Sequence, residues 1–244
     1  MAGAGARHYA VTHMSARLSI ILPLLNEAEG IVQALERLQE MRRQGGEVIV
    51  VDGGSVDETA ELARPLADCV ITAARGRGAQ MNAGAAQSTG DILLFLHADT
   101  LLPPAAPEVV AAAIAGGACW GRFDVRIAGA LRCLGLVAGM MNWRSRLTGI
   151  ATGDQAIFVS REAFRQVGGF PLIPLMEDIV LSSRLRALGA PACLREKVFT
   201  SGRRWERYGL WRTIVNMWWL RLRFHFGASP VMLAREYGYV PDEH

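Results

Sequence analysis

Glu47-Val48-Ile49-Val50-Val51-Asp52-Gly53-Gly54-Ser55-Val56-Asp57 reads as a strand running into a sharp turn. Four consecutive aliphatic residues leave no polar face, so the strand is expected to be buried on both sides. Asp52 closes it, and Gly53 and Gly54 let a planar ligand come close to the backbone. A carboxylate at that point can accept hydrogen bonds from ribose hydroxyls or a base N–H, which assigns Asp52 to ligand contact. Ser55 or Asp57 is then the N-cap of a helix reaching residue 66.

The same alternation extends to either side. Apolar runs at 18–22 (stopped by Pro23), 69–72 and 91–96 read as strands. Segments 29–43, 79–87 and 107–115 have helical spacing, the first closed by Gly45-Gly46. Doubly buried strands separated by helices predict an α/β fold with a mostly parallel central sheet and helices on both faces. Ligands of such sheets collect beyond the carboxyl ends of the strands. That rule selects Asn26, Glu27, Asp52, residues 75–78, and His97 to Asp99. The second half is less regular. Residues 120–127 alternate like a half-exposed strand, 153–160 lead into another, 161–167 and 178–188 read as helices, 192–199 as a strand, and 208–226 as a Trp- and Arg-rich helix.

The chain has 244 residues, 51% hydrophobic and 20% charged, which excludes a disordered or fibrous protein. Its net charge of +3 is too mild to argue for nucleic acid. Lys197 is the sole lysine and lacks the Gly-Lys-Ser/Thr context of a phosphate loop. Cys69, Cys119, Cys133 and Cys193 form no Cys-x-x-Cys pair, and the five histidines do not cluster. A structural zinc site is therefore not expected, and a reducing cytoplasm is. Residues 1–16 read as a disordered tail, neither signal nor anchor. No run approaches the ~18–20 apolar residues needed to span a bilayer. With no linker visible, 17–244 reads as one domain: a nucleotide-binding half (17–100), an acceptor and catalytic half (101–205) and a C-terminal amphipathic region (206–244).

Four further stretches could carry chemistry, each with a plainer alternative. Arg75-Gly76-Arg77-Gly78 feeds a helix start, good for phosphate, with Arg77 as a bidentate cation; a surface loop is the alternative. His97-Ala98-Asp99 releases a carboxylate at a strand end, where an Asp-bound Mg²⁺ or Mn²⁺ could neutralise a diphosphate; His97 is either a further ligand or a tucked core residue. Glu177-Asp178 is either a pair of favourable helix-end charges or contains a general base for a hydroxyl nucleophile. Arg203-Arg204-Trp205 could pair with phosphate and stack on a sugar or lipid, or be a solvated basic turn.

Taken in order, these stretches resemble the glycosyltransferase family 2 enzymes of GT-A fold, from about Leu18 to Trp205. Pro23-x-x-Asn26-Glu27 is similar to that family's opening motif, and Val51 to Thr59 to its nucleotide-binding stretch. Gly76-Arg77-Gly78, Asn82-x-Gly84 and Gly90-Asp91 match its next block, and His97-Ala98-Asp99 takes the place of its Asp-x-Asp. Glu177-Asp178 is similar to its Glu-Asp motif, and residues 201–205 to its Gln-x-x-Arg-Trp signature with Ser201 in the Gln position. The His-Ala-Asp variant and the Arg-Arg-Trp ending look most like the radical-SAM/selenodomain-associated transferases. The resemblance implies a nucleoside-diphosphate sugar donor contacted by Pro23, Asn26, Glu27, Asp52, Gly54, Arg77, Asn82, His97, Arg204 and Trp205. It also implies a divalent metal on Asp99, with His97 beside it, and Asp178 as base next to Glu177 in an inverting displacement. Ser201 is shorter than Gln, which argues against processive polymerisation.

In the helix over 208–226, Trp211, Val215, Trp218, Leu222 and Phe226 share one face, with Arg212, Asn216 and Arg223 near the other. A basic amphipathic helix with Trp suits a membrane interface, hence a lipid-linked acceptor and peripheral attachment to the inner face of the cytoplasmic membrane. The alternatives are packing on the domain core or on a twin subunit in a homodimer. Competing functions are a non-catalytic nucleotide-sugar or membrane-surface binding protein, which would need no base, and a nucleotidyltransferase, which would want a Gly-rich loop after the first strand.

Overall fold

The computed structural model describes residues 16–131 and 133–239. The tail expected over 1–16 lies almost wholly outside them. The elements follow in chain order: β1 (Leu18–Leu24), α1 (Ala28–Glu36), α2 (Gln39–Arg43), β2 (Glu47–Asp52), α3 (Thr59–Ala63), β3 (Cys69–Thr72), α4 (Arg77–Gln87), β4 (Ile92–Phe95), β5 (Thr100–Leu101) and α5 (Ala106–Ala115). Then come β6 (Trp120–Ala128), α6 (Leu134–Thr148), β7 (Phe158–Ser160), α7 (Arg161–Gln166), α8 (Glu177–Arg186), β8 (Ala192–Ser201), α9 (Arg203–Tyr208), α10 (Leu210–His225) and α11 (Pro230–Tyr237). Short 3₁₀ turns occupy Arg64–Leu66 and Gly153–Gln155.

One eight-stranded sheet runs β3-β2-β1-β4-β7-β6-β8-β5. The first four strands are parallel, as expected. Beyond β4 the sheet is mixed: β7 is antiparallel to β4 and β6, β6 and β8 are parallel, and β5 is antiparallel to β8. The expectation of a mostly parallel sheet is corrected to this extent, because burial on both faces reports position in a sheet and not strand direction. Alternate residues of each strand face opposite layers. Ile20, Leu22, Val48, Val50 and Leu94 pack with α1, α5 and α6; Ile21, Ile49, Val51, Leu93 and Phe95 pack with α4, α7 and α8. Gly84 allows α4 to lie this close, since a Cβ there would sit 2.5 Å from Ile21 Cγ2.

Strand β6 differs from its expected half-exposed character. Arg122 is fully buried and Asp124 nearly so, and the two form an ion pair. Asp124 also accepts from Arg146 at 2.6 Å, and Arg122 donates to the Asn142 carbonyl at 3.1 Å. Asn142 brackets Val125 with two backbone hydrogen bonds of 2.8 and 3.0 Å. Charges that look solvent-facing in the sequence thus anchor α6 to the sheet.

Candidate active site

The carboxyl ends of β1 and β4 open on a cleft of about 750 Å³. Two loops form its first wall. Asn26, at φ 54°, accepts from the Val56 N–H at 2.9 Å, and its own N–H donates to Ser55 Oγ at 2.9 Å. The Glu27 N–H donates to Thr59 Oγ1 at 2.8 Å, and the Ala28 N–H to Asp57 at 3.2 Å. The turn after β2 therefore holds the loop after β1, and Pro23, Asn26 and Glu27 line the cleft as expected. Gln80, not singled out in the sequence, donates to the carbonyls of Leu24 and Val51 at 2.8 Å each, fixing α4 across the ends of both strands.

The remaining wall brings together residues far apart in the chain: Arg77 at the start of α4, His97 and Asp99 after β4, Thr152 to Asp154, Glu177 and Asp178 at the start of α8, and Arg203 and Trp205 in α9. Asp178 is oriented from two sides. Its Oδ2 accepts the Gly153 N–H at 2.8 Å and its Oδ1 the Ile179 N–H at 2.7 Å. Its neighbour Glu177 is only 4% exposed. Burial, reinforced by the Asp178 charge, pushes the Glu177 carboxyl up to about 7, against the opposing pull of Arg77. Burial also raises the Glu27 carboxyl; Arg203 opposes this, while Asp99 and Asp57 add to it. For Arg77, which keeps access to solvent, desolvation beside the cleft works against the charge, but Glu177 and Asp154 outweigh it and raise its pKa.

Asp154 is the residue that sequence reading missed. Its Oδ1 lies 3.5 Å from His97 Nδ1. Enclosure pulls its carboxyl upward, yet the His97 hydrogen bond and charge, then Arg77, hold it below its usual value. The His97 ring lies over Gly153, where a Cβ would fall 2.5 Å from Nε2. The signal available in the sequence was a Gly-Asp pair just ahead of a short strand.

Several expected contacts fall elsewhere. Asp52 is 5% exposed and not on the cleft lining; its oxygens accept from the Gly54 and Ser55 N–H groups at 3.0 Å each and from Ser55 Oγ. It holds its own turn, and Gly54 supplies that turn's positive φ of 87° out in solvent. Asn82 also leaves the site, because its amide clips the Phe170 backbone with two 2.9 Å hydrogen bonds. Trp205 reaches the cleft but is 8% exposed and packs in the core. The Arg204 side chain lies outside the described residues, and Arg203 occupies the cleft wall. No cluster of three or more His, Cys, Asp or Glu able to cage a metal occurs among the described residues. Asp99 on the cleft wall is nonetheless a hard oxygen donor of the kind that Mg²⁺ and Mn²⁺ accept when substrate phosphates and water complete the shell.

This combination is an α/β sheet with a polar cleft at its strand ends, lined by interspersed acids and arginines. The Glycosyl transferase family 2 model matches residues 19–160, more than half the chain, and the chain belongs to that family. Among curated proteins it is similar to the undecaprenyl-phosphate 4-deoxy-4-formamido-L-arabinose transferase of Pseudomonas paraeruginosa (strain DSM 24068 / PA7). They share 32% identity over 146 residues, which cover 55% of this chain and 41% of that protein. It is also similar to glycosyltransferase AglE of Haloferax volcanii, 37% identical over 91 residues covering 34% of this chain and 30% of that one. The chain thus spans less than half the length of these relatives. Among solved structures, the mannosyltransferase PcManGT of Pyrobaculum calidifontis in complex with GDP-Man and Mn²⁺ superposes with a TM-score of 0.60 at 23% identity. That match covers 77% of this chain and 57% of that one. Glucosyl-3-phosphoglycerate synthase of Mycobacterium tuberculosis, with Mn²⁺ and UDP, gives a TM-score of 0.56 at 21% identity over 75% and 70%. Both likenesses establish the GT-A-like fold.

Proposed function

We propose that the chain is an inverting transferase that moves a sugar from a nucleoside-diphosphate sugar to an acceptor hydroxyl by a single metal-assisted displacement. One observation carries this: Asp99, Arg77 and Asp178, 101 positions apart at the extremes of the sequence, line the same cleft. A nucleotide would lie against Pro23, Asn26 and Glu27. Arg77 and Arg203 would pair with diphosphate oxygens, for which guanidinium forks are suited. Asp99, with His97 next to it, would hold a divalent cation, Mg²⁺ or Mn²⁺, which supplies charge neutralisation on the leaving diphosphate. Asp178, aimed by the Gly153 and Ile179 N–H groups, takes the proton of the acceptor hydroxyl as it attacks the anomeric carbon from the face opposite the leaving group. His97-Ala98-Asp99 and the Ser201 to Trp205 ending support placing the chain with the radical-SAM/selenodomain-associated branch. The polyprenyl-phosphate substrate named for the Pseudomonas relative supports a lipid-linked acceptor.

A turnover screen over UDP-, GDP- and dTDP-sugars with Mn²⁺ tests this. Asp178→Asn should lower transfer by ~10²–10⁴-fold, the usual worth of general-base help, while donor affinity stays nearly constant. Wild-type turnover in that variant overturns the assignment. A binding protein would instead hold donor without turnover in either form.

A further inference from the structure

Helices α6 and α10 carry the same outward pattern. On α6, Leu136, Met140, Trp143 and Leu147 fall at i, i+4, i+7 and i+11. On α10, Trp211, Val215, Trp218 and Leu222 repeat that spacing, and Phe226 extends it. At 100° per residue each set is one narrow stripe. Every member is exposed, with Trp143 at 66%, Trp211 at 76%, Trp218 at 59% and Phe226 at 79%. Neither stripe is the face by which its helix packs. α6 buries Leu134, Val137 and Ala138, and α10 buries Thr213 and Leu220 with Ile214 and Met217 half-buried. Their inner sides meet at the cleft, where Met141 of α6 and Met217, Leu220 and Arg221 of α10 form part of the lining. Both helices therefore border the same cleft, each with its stripe turned away from it. Soluble domains rarely leave an apolar surface of this extent without a partner.

Charge selects the partner. No Asp or Glu occurs between Asp124 and Asp154, nor between Glu206 and Glu236, while α6 carries Arg144 and Arg146 and α10 carries Arg212, Arg221 and Arg223. Some are engaged internally, as Arg146 is by Asp124 and Arg223 by Glu236, but no acid lies within either helix to offset the rest. Two copies packed stripe to stripe would bring together the arginines that border each stripe, with no acid of either helix between them. An anionic bilayer accepts both the Trp stripes and the guanidinium groups, and Trp belongs at the interface between apolar chains and headgroups.

We infer that α6 and α10 together form a surface that seats the protein on an anionic lipid bilayer. This deepens the lipid-linked acceptor reading and rests on it for its purpose, but it can be measured apart from transfer. The full chain is sedimented with vesicles of phosphatidylcholine alone or mixed with phosphatidylglycerol, at low and high salt. Donor hydrolysis is followed in vesicle-free solution, and mass by light scattering. Binding is expected with the mixed vesicles and should weaken with salt. Trp143→Ser and Trp218→Ser should each lower the partition coefficient by about tenfold, with unchanged donor hydrolysis and unchanged thermal midpoint, since both residues are exposed and off the cleft. Because the two sit on different helices, loss through one and not the other overturns the two-helix surface. Equal binding to zwitterionic vesicles overturns the charge argument. A dimer that the Trp variants dissociate, with no vesicle binding, assigns the face to a second copy instead. Failure of hydrolysis with vesicle binding intact would count against the transferase reading and leave the docking surface standing.

Discussion

Replacing Glu177 by Gln tests the electrostatics of the cleft most directly. The wild-type carboxyl is 4% exposed and stands beside Asp178, and burial with that neighbour raises it from 4.5 to about 7. A carboxyl whose folded pKa exceeds its unfolded value is bound to its proton more tightly in the folded state. Its favourable contribution is complete below about 4.5 and is lost as pH climbs through about 7. At 1.36 kcal/mol per tenfold in proton affinity, the ionised residue costs the folded protein about 3 kcal/mol above that range. Gln keeps the shape and cannot ionise. Urea unfolding of both proteins at a series of pH values should therefore give a difference that grows in favour of Glu177→Gln by about 3 kcal/mol between pH 4.5 and pH 8. Contributions from titrating groups that do not interact with Glu177 cancel in that difference. A difference that stays flat with pH, or grows in favour of the wild type, would refute the account of a buried, proton-holding Glu177.

Four other outcomes follow from the same geometry. Asp124→Ala strands Arg122 in the core and should cost about 3–5 kcal/mol of stability by denaturant unfolding, well beyond a surface charge deletion. Asn82→Ala removes the clip on Phe170 and should lower stability by about 1–3 kcal/mol with little change in donor affinity by calorimetry; a large loss of affinity would return Asn82 to the donor site. Gly153→Ala places a methyl against the His97 ring and should slow turnover by up to ~10²-fold through displacement of His97 and of the N–H that aims Asp178. Chelation by EDTA should abolish turnover, with Mn²⁺ or Mg²⁺ restoring it, while thermal stability of the free protein stays the same, because no cage of three ligands occurs among the described residues.

The strands β1 to β4 were legible because their runs are apolar on both faces, and the strand-end rule then located Asn26, Glu27, Arg77, His97 and Asp99. The rule gives a position and not a direction. Asp52 stands at the predicted place, yet its oxygens turn onto Ser55 and Gly54. α6 was unreadable for a different reason. It presents Leu134, Val137 and Ala138 to the core and Leu136, Met140, Trp143 and Leu147 to the outside, so its sequence shows no polar face by which a period could be recognised. In β6 the alternating charges of Arg122 and Asp124 imitate a wet face, and only the pairing across to Arg146 and Asn142 shows them to be interior. Asp154 belongs to no periodic element, and its place in the site depends on β7 returning antiparallel to β4.

The Glu177-Asp178 pair allows two readings in sequence, and its surroundings support the proposed catalytic one. Acids retained only to complement a helix dipole stabilise the helix from solvent-accessible positions in its first turn. Glu177 is instead enclosed, and its ionised form costs stability. Asp178 receives two N–H donors, one from its own turn and one from Gly153 in a distant loop. A buried Glu177 beside an Asp178 oriented by two N–H donors is an arrangement that supports the proposed acid–base chemistry. Glu177→Gln separates structure from chemistry on this point. If the variant gains stability above pH 7 but loses turnover, the unfavourable burial serves the reaction; if it gains both, Glu177 has no part in catalysis and Asp178 acts without it.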